Sequence, residues 1–149
     1  MHKYWWIFLT TFLIVFTNFT TLARLACSDG LNEHCECTEE GNGFSIFCRD
    51  VTTDIKHLLS PLEKICIERL SVVGAYWPVF KALPRLTVRI IQLVNCGIET
   101  IEDGAFQSVG EGLEELLLTN NTITVFPYLG YLPKLLSLNL RYNKISEVP

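Results

Sequence analysis

Four of the six cysteines, Cys27, Cys35, Cys37 and Cys48, follow one another as C-x7-C-x-C-x10-C. A cluster of this kind can oxidise to disulfides or hold a metal as thiolates. Structural zinc sites built from clustered cysteines use C-x2-C knuckles, and the C-x-C step here disfavours that chemistry, so no metal is expected. Four cysteines allow three disulfide connectivities, among which spacing does not choose. The histidines are His2, His34 and His57. None has a serine or cysteine partner at a recognisable nucleophile elbow, so a catalytic triad is unsupported and no enzymatic role is expected. Asp29, Glu33, Glu36, Glu39 and Glu40 gather among the cysteines without the ligand spacing of a calcium loop. A solvated polar surface accounts for them. Gly41-Asn42-Gly43 lies between polar residues and reads as a turn, not a phosphate loop. Asn120-Asn121-Thr122 is an N-glycosylation sequon with Asn120 as acceptor.

Cysteine and sequon chemistry both depend on compartment, and the N-terminus speaks to that. Lys3 is followed by no charge until Arg24, residues 5–16 form an apolar core of signal-peptide length, and Thr21-Leu22-Ala23 offers small residues at a cleavage site. The expectation is a signal peptide at residues 1–23, removed after Ala23. The sequon Asn18-Phe19-Thr20 would leave with it. The uncharged run of residues 4–23 is also long enough to span a bilayer, which makes an uncleaved signal anchor the competing reading. Leu25-Ala26-Cys27 is close to a bacterial lipoprotein site, but Arg24 argues against acylation. Export places the cysteines where disulfides form. The predicted localisation is secreted or extracellular, the alternative being the cell surface. The formal net charge of −4 argues against a nucleic-acid partner, which would require a basic face.

The elements that must position these groups show themselves as a repeat. LEELLLTNNTITVF places Leu113, Leu116, Leu118, Asn121, Ile123 and Phe126 at a spacing that is neither helical nor simply alternating. LLSLNLRYNKISEV repeats it with Leu135, Leu138, Leu140, Asn143, Ile145 and Val148. VRIIQLVNCGIETI does so with Val88, Ile91, Leu93, Cys96, Ile98 and Ile101. A looser copy, LEKICIERLSV, offers Leu62, Ile65, Ile67, Leu70 and Val72. Starts at 62, 88, 113 and 135 give periods of 26, 25 and 22 residues, the mark of a solenoid. In each unit positions 1, 4 and 6 are expected to face the stack. A side-chain amide at position 9 can satisfy backbone groups left unpaired where the chain turns, and Cys96 is a small substitute in that slot. Leu70 cannot do this, so the first unit should be irregular. Phe80 and Phe106 both fall at position 19 of their units, behind the strands, and Leu129 and Leu132 fill that space in the third.

These units resemble the leucine-rich repeat family, whose motif L-x-x-L-x-L-x-x-N/C-x-L three of them meet closely and the first loosely. The resemblance covers residues 62–149. It implies an α/β-type leucine-rich repeat solenoid, with short parallel strands on the concave side and irregular or short helical convex segments. Residues 24–61 are similar to the cysteine-rich N-terminal cap of extracellular members. By that similarity Cys27 pairs with Cys37 and Cys35 with Cys48. A cap is needed because the first unit otherwise exposes its core, and crosslinks substitute for buried surface in so short a segment. Cys96 should face inward and Cys66 outward. An exposed thiol in an exported chain signals either an intermolecular bridge or a misplaced first frame. The chain stops at Pro149 inside a unit, and a truncated array or a fragment of a longer receptor or matrix protein is the expectation.

The outward strand positions 3, 5, 7 and 8 are Lys64, Cys66, Glu68 and Arg69 in the first unit and Ile90, Gln92, Val94 and Asn95 in the second. They continue as Glu115, Leu117, Thr119 and Asn120, then Ser137, Asn139, Arg141 and Tyr142. Ile90, Val94 and Leu117 form an apolar patch rimmed by polar residues, the composition of a binding surface. The candidate ligand-binding set is Ile90, Gln92, Val94, Glu115, Leu117, Asn139, Arg141 and Tyr142. The resemblance implies a non-catalytic extracellular recognition module for a protein ligand, without cofactor. The alternative is a matrix or adhesion protein that self-associates through its repeats.

Overall fold

A computed structural model describes residue 31 and residues 33–147. The leader, its cleavage site and Cys27 lie outside the described residues. Among the described residues an antiparallel hairpin comes first, with β1 (Cys35–Glu40) and β2 (Gly43–Arg49) joined by a turn at Gly41 and Asn42. A short helix α1 (Ile55–Leu59) runs into a 3-10 turn (Ser60–Leu62). Strands β3 (Cys66–Val73), β5 (Thr87–Val94), β7 (Glu115–Leu117) and β8 (Ser137–Asn139) then add one by one, each parallel to the last. The sheet order is β1-β2-β3-β5-β7-β8. Behind it, β4 (Val79–Phe80) pairs in parallel with β6 (Thr100–Ile101), and a 3-10 turn covers Gln107–Val109. This is the parallel-strand solenoid expected, with an extra two-stranded ladder behind the main sheet. Among the described residues no helix is long and apolar enough to cross a membrane.

The strand register corrects the first frame. Ile67 pairs with Val88, Leu70 with Ile91 and Val72 with Leu93. The first unit therefore begins at Ile67, not Leu62, and its ninth position is Ala75. The starts become 67, 88, 113 and 135. Leu62 belongs instead with Ile55, Leu58 and Leu59, a helix-spaced stripe that is buried as a face of α1 and its 3-10 continuation. Asp54 caps that helix by accepting from the Lys56 N–H at 3.0 Å. Hairpin strand β2 continues the same frame, setting Ile46 beside Leu70 and Cys48 beside Val72. The cap thus supplies a false rung whose inward residues extend the core.

One core runs through the stack: Ile46, Leu70, Ile91 and Leu116 form one fully buried row, and Cys48, Val72, Leu93 and Leu118 the next. Leu138 and Leu140 continue these rows in the last strand and are only partly buried. Phe80 also moves in the corrected frame. It sits opposite Ile101 in the β4–β6 ladder, so it does not share a frame position with Phe106. The two rings nonetheless stack, with centroids 5.2 Å apart and planes 17° apart, and Trp77 tilts against Phe80 at 6.3 Å. The rest of the convex filling agrees with expectation, Leu129 and Leu132 packing against the core.

Every rung turns at its eighth position through a left-handed residue: Asp50 (φ 50°), Gly74 (φ 76°), Asn95 (φ 54°), Asn120 (φ 55°) and Tyr142 (φ 59°). The turns are hydrogen-bonded in series, the N–H of Asp50, Gly74, Asn95 and Asn120 each donating to the seventh-position carbonyl of the next rung at 2.9–3.2 Å. Glycine, asparagine and aspartate accept this conformation readily. For other residue types it costs about 1–2 kcal/mol.

Candidate functional site

The buried polar chemistry is a ladder at the ninth position. Asn121 Oδ1 accepts from the N–H of Cys96 at 2.9 Å and of Ile98 at 3.2 Å, and its Nδ2 donates to the carbonyls of Leu93 and Thr119 at 2.9 and 3.2 Å. Asn143 repeats the arrangement one rung later, accepting from Ile123 N–H at 3.1 Å and donating to the carbonyls of Leu118 and Leu140. Cys96 reproduces only half of it. Its thiol reaches the carbonyls of Val72 and Val94 at 3.5 Å, the places an asparagine Nδ2 would take. Burial pushes the Cys96 thiol up from 9.0 to about 11, against the opposing effect of backbone contacts from Ala75, Gly74 and Val94. Cys66 is free and exposed at the start of β3, beside Thr87.

This contrast carries a prediction. In the native chain near pH 7 iodoacetamide should label Cys66 and spare Cys96, which should react only after unfolding; peptide mapping of the alkylated chain checks it. The native thiol holds its proton more tightly than the unfolded one. Its contribution to stability is therefore complete below about pH 9 and lost as pH rises through about 11.

In the cap, Cys35 and Cys48 face each other in the antiparallel register with Cα atoms 4.0 Å apart and are disulfide-bonded. Cys37 is disulfide-bonded as well; Cys27, its partner by the family resemblance, lies outside the described residues. Glu33 and Glu36 are exposed, while Glu40 reaches Arg69 at 3.4 Å.

The outer sheet face divides in two. On the cap side its polar groups engage one another. Arg89 bridges Glu68 at 2.7 Å and Glu114 at 3.4 Å, and Ser71 Oγ donates to Gln92 Oε1 at 2.8 Å. Glu68, Arg69 and Ser71 occupy positions 2, 3 and 5 of the corrected unit; Lys64 and Cys66 precede it, so the first-unit surface set is replaced. Ile90, expected in the exposed patch, is 3% exposed between Arg69 and Glu115 of the flanking strands. It belongs to the fold. Gln92, Val94, Glu115, Leu117 and Asn139 are half-buried, and Arg141 and Tyr142 are exposed. Leu117 lies between Gln92 and Asn139, with Leu116 fully buried beside it.

Towards the later strands Val94, Thr119, Asn120, Asn139, Arg141 and Tyr142 line a shallow recess of about 540 Å³. Four of these belong to the sequence-derived binding set. Thr119 and Asn120 complete it, and their positions, 7 and 8, already signalled as much. A second recess lies at the strand starts, where Arg85, Thr87, Ser108, Glu111 and Lys134 meet. The repeat motif leaves those loop residues unspecified, so nothing in the spacing announces them. Among the described residues no group of three or more histidine, cysteine or acidic side chains could hold a metal.

Rungs at Val88, Leu113 and Leu135, joined in register and bridged by Asn121 and Asn143, coincide with the match of a leucine rich repeat family model to residues 86–145. Residues 86–145 carry leucine-rich repeats. The cap and the first repeat, whose ninth residue is Ala75, fall outside that match. The leucine-rich repeat-containing protein egg-6 of Caenorhabditis elegans is 24% identical over 131 residues, covering 88% of this chain. The chain spans 13% of that relative's length. No solved structure gives a significant match. Leucine-rich repeats commonly serve protein–protein interaction and are generally non-catalytic.

Proposed function

We propose that this leucine-rich repeat chain is a non-catalytic extracellular recognition module that binds a protein ligand through its outer strand face, as part of a receptor or a short form of one. The observation that carries this reading is the asymmetry of the face. Its cap-side polar groups are engaged with one another, whereas Arg141 and Tyr142 offer cationic and aromatic surface on the wall of a recess, with half-buried Leu117 beside Asn139 on the neighbouring strand. Tyrosine and arginine are enriched among the residues that dominate interface energetics. The cap disulfide supports an oxidising compartment, in keeping with the leader read from residues 1–23.

Leu117→Asp tests the face. The half-buried site beside solvent tolerates the charge, so the variant should be secreted and melt within a few degrees of the parent. In a binding screen of the secreted chain against an array of extracellular ectodomains, the parent's hits should be lost by at least tenfold in affinity. Unchanged hits would remove this face from consideration. Hits confined to the chain itself, with concentration-dependent sedimentation, would favour the self-associating matrix or adhesion reading.

A further inference from the structure

We propose that Tyr142 anchors an acidic peptide segment of a protein partner, with Arg141 taking that segment's carboxylate; this rests on the reading of the strand face as a recognition surface and gives it a ligand chemistry. The backbone singles Tyr142 out. At the eighth position Asp50, Gly74, Asn95 and Asn120 are residue types that accept the left-handed turn readily, and Tyr142 adopts it at a steric cost. Burial does not compensate it, because Tyr142 is 79% exposed. An asparagine would serve the turn better, so this tyrosine works against the fold and its use lies in what the ring meets from solvent.

The neighbours say what that is. Arg141 precedes it on the wall of the same recess, and among the described residues its guanidinium has no ion-pair partner. Arg69 and Arg89, on the same face, are already neutralised by Glu40, Glu68 and Glu114. Asn139 Oδ1 accepts from the Arg141 N–H at 3.0 Å and fixes the backbone there. Val94 and Thr119 make the remaining wall uncharged. One unpaired cation in a neutral recess selects a single carboxylate, which a guanidinium can grip through two hydrogen bonds. The tyrosine ring adds a large contact at low entropic cost. The net charge of −4 repels polyanions such as nucleic acid, so the attraction of a carboxylate rests on Arg141 alone.

The experiment pans a displayed random-peptide library on the full chain, then titrates the selected peptides against the parent, Tyr142→Asn, Tyr142→Phe, Arg141→Gln and Leu117→Asp. Selected peptides should be enriched in aspartate and glutamate and should lose binding when those are changed to the amides. Tyr142→Asn should melt a few degrees higher than the parent yet bind about tenfold more weakly or worse, and Tyr142→Phe should keep most of the affinity. A merely structural tyrosine would instead lose stability and binding together, overturning the proposal. Peptides sensitive to Leu117→Asp but indifferent to Tyr142→Asn and Arg141→Gln would overturn the anchor while leaving the strand-face reading in place. Indifference to all of them would sink both. Selection without acidic enrichment would overturn the ligand chemistry.

Discussion

Asn121→Leu should leave a chain that unfolds at markedly lower urea concentration. Leucine fits the slot in volume but makes none of the four hydrogen bonds of Asn121, so the N–H groups of Cys96 and Ile98 and the carbonyl of Leu93 lose their partner in the interior. Each buried group left unpaired costs about 1–3 kcal/mol. A loss of at least about 3 kcal/mol is expected from such costs together, against a typical domain stability of about 5–15 kcal/mol. The adjacent Asn120→Asp is the control. Asp50 occupies the same left-handed position in the cap, so the turn should accept it with little change in urea midpoint. Equal damage from both substitutions would refute the assignment of Asn121 to the interior and Asn120 to the surface.

Phe80→Ala should be comparably severe. Its ring is fully buried, stacks on Phe106 at 5.2 Å and meets Trp77 at 6.3 Å, and its own carbonyl accepts from the Glu102 N–H at 3.0 Å. Alanine keeps the backbone bond but opens a cavity between successive repeats, at a cost of about 3–5 kcal/mol. Val125→Ala, at a residue 72% exposed, should stay within about 0.5 kcal/mol of the parent. Chemical denaturation of the two variants separates them. A Phe80 variant as stable as the parent would show that the aromatic stack behind the sheet contributes little to joining the repeats.

Most of the architecture was legible because the repeats report their own geometry. Leu113, Leu116, Leu118 and Asn121 recur in kind at 135, 138, 140 and 143, and an inward position in one rung is inward in the next. The first repeat was misread for a physical reason. Ile55, Leu58, Leu59 and Leu62 follow a helical period that ends where a repeat was expected to begin, so Leu62 was claimed by the wrong pattern. Ala75 at the ninth position gave no amide to correct it. The surface was less legible than the core. Alternation places Ile90 outward, but only its flanking strands decide that it is covered. The conformational oddity of Tyr142 lies in a backbone angle that residue type alone does not disclose.

The asparagine ladder has a direction. Asn121 reaches back to Leu93, Cys96 and Ile98, and Asn143 reaches back to Leu118 and Ile123. Each ninth-position asparagine thus fastens the turn of the repeat before it in the chain. A chain leaving the ribosome N-terminus first can settle in the order in which it is made: the hairpin gives a template, and each newly emerged rung locks its predecessor. The stack behaves as a row of latches closed in the direction of translation, with the most recently added rung always the loosest.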